Sequence, residues 1–215
     1  MRGITIILNN ERFHTGNDLD LVQEKKEIGK PDIQSYTVQI PGRNGLLNLT
    51  KGLTGKVNYY NRPLSFQYFG TGKRERLLWL DKIMSFYHGE TVRIIDDDYP
   101  EYYYEGEASV STEFHPNYIT ITLSVDAQPY RKRLVWTTRR YRVTGSANLC
   151  IQNENMPVIP EITVTDPIGV THDKSSYDLT EGTYKIDDFE LARGNNIFEV
   201  SGSGIITFKY QEGTI

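Results

Sequence analysis

Apolar and polar residues alternate along much of this chain, and the clearest run is Ile119-Thr120-Ile121-Thr122-Leu123-Ser124-Val125. A two-residue period puts every apolar side chain on one face, so the run predicts a half-buried β-strand. Tyr36, Val38 and Ile40 repeat the pattern, as do Leu64, Phe66 and Tyr68. Thr91 to Ile95 and Tyr102 to Val110 flank Asp96-Asp97-Asp98-Tyr99-Pro100, a turn composition that predicts a hairpin. Pro41-Gly42-Arg43-Asn44-Gly45 is punctuation of the same kind between strands.

The period changes between Lys73 and His88. There Leu77, Leu80, Ile83, Met84 and Tyr87 fall on one side at helical spacing, with Trp79 and Phe86 at its edge. Thr71 suits the N-cap and Gly89 the left-handed position past the C-terminus. Each large side chain on the stripe contributes about 1.5–3 kcal/mol when buried, enough to dock one helix on a sheet.

Alternation returns after the middle of the chain. Glu161 to Thr165, Thr183 to Ile186, Asn196 to Val200 and Ile205 to Tyr210 predict strands separated by Asp-Pro, Glu-Gly, Gly-Asn and Gly-Ser-Gly turns. No repeat of fixed period is present, which excludes solenoids and propellers. These elements predict a mainly β protein. Residues 1–135 form an α+β domain with one amphipathic helix on a sheet, and residues 136–215 a small β-sandwich.

Composition supports a folded chain, with 38% hydrophobic residues and 15 Tyr among 215 positions. The formal charge is −4, and the acidic excess lies wholly after residue 135. That balance excludes a global drive toward nucleic acid or anionic lipid. The apolar run Ile4 to Leu8 is too short for a signal peptide or a span, so a cytoplasmic start and no membrane partner are expected. Cys150 is the single cysteine; it reads as a small core residue, and intramolecular disulfides are excluded.

Candidate chemistry fails on spacing. Gly70-Thr71-Gly72-Lys73 before a helix suggests a phosphate loop, but Gln67 stands where the first glycine belongs and Arg74 where the Mg²⁺-binding hydroxyl belongs. Asp96, Asp97, Asp98, Glu101, Glu105 and Glu107 offer oxygen ligands without the order of a calcium loop, and read as a solvated hairpin tip. His14, His88, His115 and His172 are scattered and show no zinc spacing. No Gly-x-Ser-x-Gly elbow appears, and Cys150 has no evident His partner. No catalytic, cofactor or metal residue is therefore assigned. Arg131, Lys132, Arg133, Arg139, Arg140 and Arg142, with Tyr130, Trp136 and Tyr141 among them, suit either a nucleic-acid surface or charged outer faces of strands. The total charge favours strands.

The segment Tyr36-Thr37-Val38-Gln39-Ile40-Pro41-Gly42-Arg43-Asn44-Gly45-Leu46-Leu47-Asn48-Leu49-Thr50 resembles one that recurs in the distal tail proteins of long-tailed phages. Tyr59-Tyr60-Asn61-Arg62-Pro63-Leu64-Ser65-Phe66 is similar to that family's next strand. Residues 193–204 and 207–213 resemble its closing strands, so the likeness spans nearly the whole chain. The resemblance implies a structural virion protein, assembled in the host bacterial cytoplasm and resident in the tail. It implies a hexameric ring built from the N-terminal domain, joining the tail tube protein above to tail-tip or receptor-binding proteins below. The genome would cross the ring's channel without sequence-specific contact, and the C-terminal sandwich would be galectin-like.

A ring needs one patch to meet a different patch on the next copy. The turn Pro41, Gly42, Arg43, Asn44 and Gly45, and the polar stretch from Gly16 to Lys30, are the candidate patches; ordinary surface loops are the alternative. A carbohydrate-binding sandwich is the competing function, motivated by the many tyrosines.

Overall fold

The computed structural model describes residues 3–18, 21–55, 57–70, 81–172 and 175–215. The chain divides into two compact units, Met1–Pro129 and Tyr130–Ile215. The architecture is mainly β, as the alternation predicts.

Unit 1 contains β1 (Ile4–Leu8), β2 (Glu11–His14), β3 (Val22–Ile28), β4 (Ile33–Gln34), β5 (Thr37–Gln39), β6 (Leu46–Asn48), the helix α1 (Leu49–Thr54), β7 (Asn58–Tyr59), β8 (Arg62–Gly70), β9 (Thr91–Asp96), β10 (Tyr102–Phe114) and β11 (Ile119–Ala127). Its main sheet runs β2-β1-β9-β10-β11-β8-β3, each neighbour antiparallel. Alternation does what the sequence promises in the centre of this sheet. Ile119, Ile121, Leu123 and Val125 of β11 and Leu64, Phe66 and Tyr68 of β8 are all buried in one cluster. The run Ile4 to Leu8 is a strand between β2 and β9, with Ile4 and Ile6 in the same core.

Residues 81–87 are helical, and Ile83 and Tyr87 are each only 3% exposed. The Tyr87 ring lies 4.9 Å from that of Phe13. Gly89 closes the helix at φ 82° and donates to Ala108 O at 2.7 Å, which ties the turn to β10. Met84, expected on the buried stripe, is exposed at 39%. It sits one position past Ile83, and a 100° step turns it away from the sheet. Thr71, Leu77, Trp79 and Leu80, with the suggested phosphate loop from Thr71 onward, lie outside the described residues. The short helix α1 has no counterpart in the sequence reading.

Unit 2 contains β12 (Arg131–Arg133), β13 (Thr137–Asn153), β14 (Glu161–Val164), β15 (Ile168–His172), β16 (Ser175–Leu179), β17 (Gly182–Lys185), β18 (Gly194–Tyr210) and β19 (Gly213–Thr214). β13 and β18 pair along their full lengths, Thr137 opposite Tyr210 and Asn153 opposite Gly194. The other edge of β18 is shared. β15 occupies it at Phe198–Gly202, and β14 at Ile206–Lys209.

Two predicted strands separated by a Gly-Ser-Gly turn are thus one strand, bent where its neighbour changes. At Gly202 φ is 134°, and a Cβ would stand 2.6 Å from Pro167 O, so only glycine lets the chain pass there. Even-numbered residues point inward on both sides of the bend. Phe198, Val200, Ile206, Phe208 and Tyr210 therefore share one core with Val143, Ile151, Ile162, Val164, Ile168 and Val170, as a sandwich requires. Across that core the hydroxyl of Tyr210 donates to Gln152 O at 3.1 Å.

Burial also sets a pH limit on unit 1. Loss of solvent, assisted by the Glu11 carboxylate, pushes the Tyr87 hydroxyl up to about 12, and burial raises Tyr68 in the same direction. An unfolded tyrosine gives up its proton near about 10. Stability from these neutral hydroxyls is therefore complete below that pH and is lost as pH rises through about 12. An alkaline titration followed by circular dichroism should show unit 1 unfolding in this window. In the double variant Tyr68→Phe, Tyr87→Phe the midpoint should move upward, and an unchanged midpoint would discard this account.

Candidate functional site

Of the acidic residues at the β9–β10 hairpin, Asp97, Asp98, Glu101 and Glu107 are exposed, as a solvated tip requires, and Asp96 alone is buried. Asp96 is 2% exposed and accepts from Lys26 Nζ at 2.9 Å, and Asp98 pairs with the same ammonium. Burial works against the charge of Lys26, but its bonds to Asp98 and Asp96 outweigh this and raise its pKa. Asp97 receives Gly3 N at 2.9 Å and lies 3.0 Å from His14 Nε2. The turn thus fastens the first strands and β3 together, a constraint that local spacing does not reveal.

The remaining suggested reactive groups are also occupied structurally. His88 Nδ1 accepts from Val110 N, His115 stacks on Tyr118 at 4.2 Å, and His172 packs against Phe189 and Phe198. No group of three His, Cys, Asp or Glu side chains that could hold a metal ion occurs among the described residues. Cys150, expected in the core, is exposed. It occupies an even position on β13, opposite exposed Ile197, and that face points outward. Within the basic cluster Arg133 is held by Glu154 at 2.7 Å and Glu212 at 3.1 Å, while Arg139, Arg140 and Arg142 are exposed along β13.

The most unusual surface is the segment between β3 and β8. The chain leaves the sheet at Gly29 and returns at Arg62 and Pro63, and these ends are clamped. Gly29 N donates to Pro63 O at 2.9 Å, and Arg62 Nε to Gly29 O at 2.9 Å. Arg62 is 5% exposed, and its guanidinium also lies 5.1 Å from the Tyr104 ring centre. Residues 30–55 and 57–61 form an arm on this base.

The arm has its own order. β4 pairs with β7, Gln34 Nε2 donating to Tyr59 O at 3.0 Å. β5 pairs with β6 in the register Thr37–Asn48, Val38–Leu47 and Gln39–Leu46. Tyr36 N donates to Thr50 Oγ1, and Leu49 N to Tyr36 O. The hairpin tip is Pro41 to Gly45, closed by Arg43 N donating to Ile40 O. Gly42 and Gly45 both have φ 81°, which explains both glycines, and among the described residues no non-neighbouring atom lies within 4 Å of where a Cβ would stand.

The arm's described residues contribute nothing to the unit's apolar cluster. Tyr36, Val38 and Ile40, expected on a half-buried face, are instead 69%, 36% and 39% exposed, alongside Ile33 at 57%, Leu46 at 64% and Tyr60 at 58%. The alternation is real, since cross-strand pairing sets Val38 and Leu47 on one face. No part of the described chain covers that face. Leu46, opposite Gln39, adds an exposed apolar group on the other face of the hairpin.

Unit 1 is thus a β-rich fold that carries an exposed apolar hairpin. No protein-family model and no curated protein matches the sequence. Among solved structures the chain is similar to the SPP1 Dit (gp 19.1) protein, described as a paradigm of the hub adsorption apparatus in phages infecting Gram-positive bacteria. The TM-score is 0.67 at 14% identity, covering 97% of this chain and 98% of that one. The chain therefore has the Dit fold over nearly its whole length.

Proposed function

We propose that the protein is a distal tail hub of a long-tailed phage, a structural virion component and not an enzyme. Six copies close a ring through unit 1, joining the tail tube protein to tail-tip or receptor-binding proteins. The observation that carries this reading is the match to the Dit fold across both chains. The arm supports it, because its uncovered apolar face and the turn Pro41 to Gly45 supply one half of a heterologous contact between successive copies. Its charge supports it too: Lys30, Arg43, Lys51 and Lys56 against Asp32 make the arm basic in an otherwise acidic chain.

Electron microscopy of assembled tails, or of tip complexes, carrying a label at the C-terminus tests the proposal. Six labels arranged radially just below the tube are expected. Labels along the shaft, or only at fibre ends, would sink it.

A further inference from the structure

Unit 2 holds a groove of 360 Å³ on the outer face of its sheet, lined by Ser146, Ala147, Asn148, Thr171, Glu199, Val200 and Ser201. The strand registers explain how it is built. Asn148, Glu199 and Thr171 form one row across β13, β18 and β15, and Ser146, Ser201 and Gly169 the next. β16 extends both rows, with Ser176 beside Thr171 and Asp178 beside Gly169. Thr171 Oγ1 and Ser176 Oγ lie 3.0 Å apart. Val200 is 1% exposed, so its side chain faces the core and the groove is floored by polar groups.

Gly169 opens the floor. A Cβ at this position would stand 2.8 Å from Ser201 Oγ and 3.5 Å from Asp178 Oδ1. Without one, a hydroxyl and a carboxylate from two different strands flank the same notch. The lining therefore offers hydroxyls, one side-chain amide and the Glu199 carboxylate, with no lysine, arginine or aromatic ring among the lining residues, and Asp178 adds a second carboxylate beside Gly169.

From this set we infer that the groove binds a neutral saccharide. Carboxylates accept hydrogen bonds from vicinal hydroxyls, the Asn148 amide donates to ring or hydroxyl oxygens, and serine or threonine hydroxyls serve in either sense. Charge-assisted bonds to Glu199 and Asp178 are the strongest of these. The same two carboxylates repel phosphate, sulfate and uronate groups. The volume lies within the range of small-molecule sites, roughly 300–1,000 Å³. The groove is shallow and has no stacking platform, so a single site binds in the range of about 1 mM. Copies held together in one assembly would convert weak sites into useful avidity. This inference does not depend on the proposed ring, because the groove lies wholly within unit 2 of one chain.

Saturation-transfer NMR on the full-length protein is the test, with methyl glucoside, methyl galactoside, lactose, glucuronate and glycerol phosphate as probes. Transfer to at least one neutral sugar is expected, with none to glucuronate or glycerol phosphate. Glu199→Gln and Asn148→Ala should each weaken binding by about tenfold. Both residues are exposed, so melting temperatures should stay at the wild-type value. Absence of transfer from every neutral probe, stronger binding of the anions, or equal affinity in wild type and both variants would overturn the assignment.

Discussion

Ile83→Asp unfolds unit 1 or lowers its melting temperature steeply, whereas Met84→Asp, one residue further on, leaves stability within about 0.5 kcal/mol of wild type. Ile83 is 3% exposed within the apolar cluster of the main sheet, and Met84 is 39% exposed. An aspartate at position 83 forfeits the transfer energy of a buried isoleucine and places a carboxylate in the apolar cluster that holds Phe13 and Tyr87. The combined cost is roughly 3–5 kcal/mol, a large share of a domain's net stability. Thermal melts of both variants check the contrast. Equal melting temperatures would mean that this helix is not packed on the sheet through Ile83.

The double variant Tyr36→Asp, Val38→Asp gives the opposite combination, intact folding with lost assembly. Both side chains belong to the arm's uncovered face and contribute nothing to the core of unit 1. Stability should change by no more than about 0.5 kcal/mol. Each large apolar side chain buried in a contact contributes about 1.5–3 kcal/mol, so losing two should weaken association between copies by at least about a hundredfold. Analytical ultracentrifugation over a concentration series, and incorporation of the variant into tails, read this directly. Wild-type assembly by the variant would remove the arm from the interface. A loss of several kcal/mol in folding stability would show instead that the face is covered within the chain.

Much of the fold was legible because it follows from local periodicity. In β8, β9, β10 and β11 the two-residue alternation coincides with burial, and Asp96 to Pro100 supplies the turn of the predicted hairpin. The helix was legible at Ile83 and Tyr87 for the same reason, with Gly89 at its end. The turn Pro41 to Gly45 was legible from its two glycines, and both occupy the left-handed region.

What the residues could not disclose is what covers each face. Tyr36, Val38 and Ile40 alternate as regularly as Leu64, Phe66 and Tyr68, yet the first set is exposed and the second buried. Alternation states which side chains share a side of a strand, and only the path of distant segments decides whether that side meets a core. Ser201-Gly202-Ser203-Gly204 carries the composition of a turn. It is continuous strand because β13 pairs with it throughout while Pro167 presses close at Gly202. The bond from Lys26 to Asp96 joins residues 70 apart, and the hydroxyl-lined groove draws on four strands of unit 2. The sequence by itself determined the period, the turn chemistry and the side each residue takes. Tertiary structure decided which sides are buried, which charges are paired and which polar rows meet, because those depend on contacts between segments far apart in the chain.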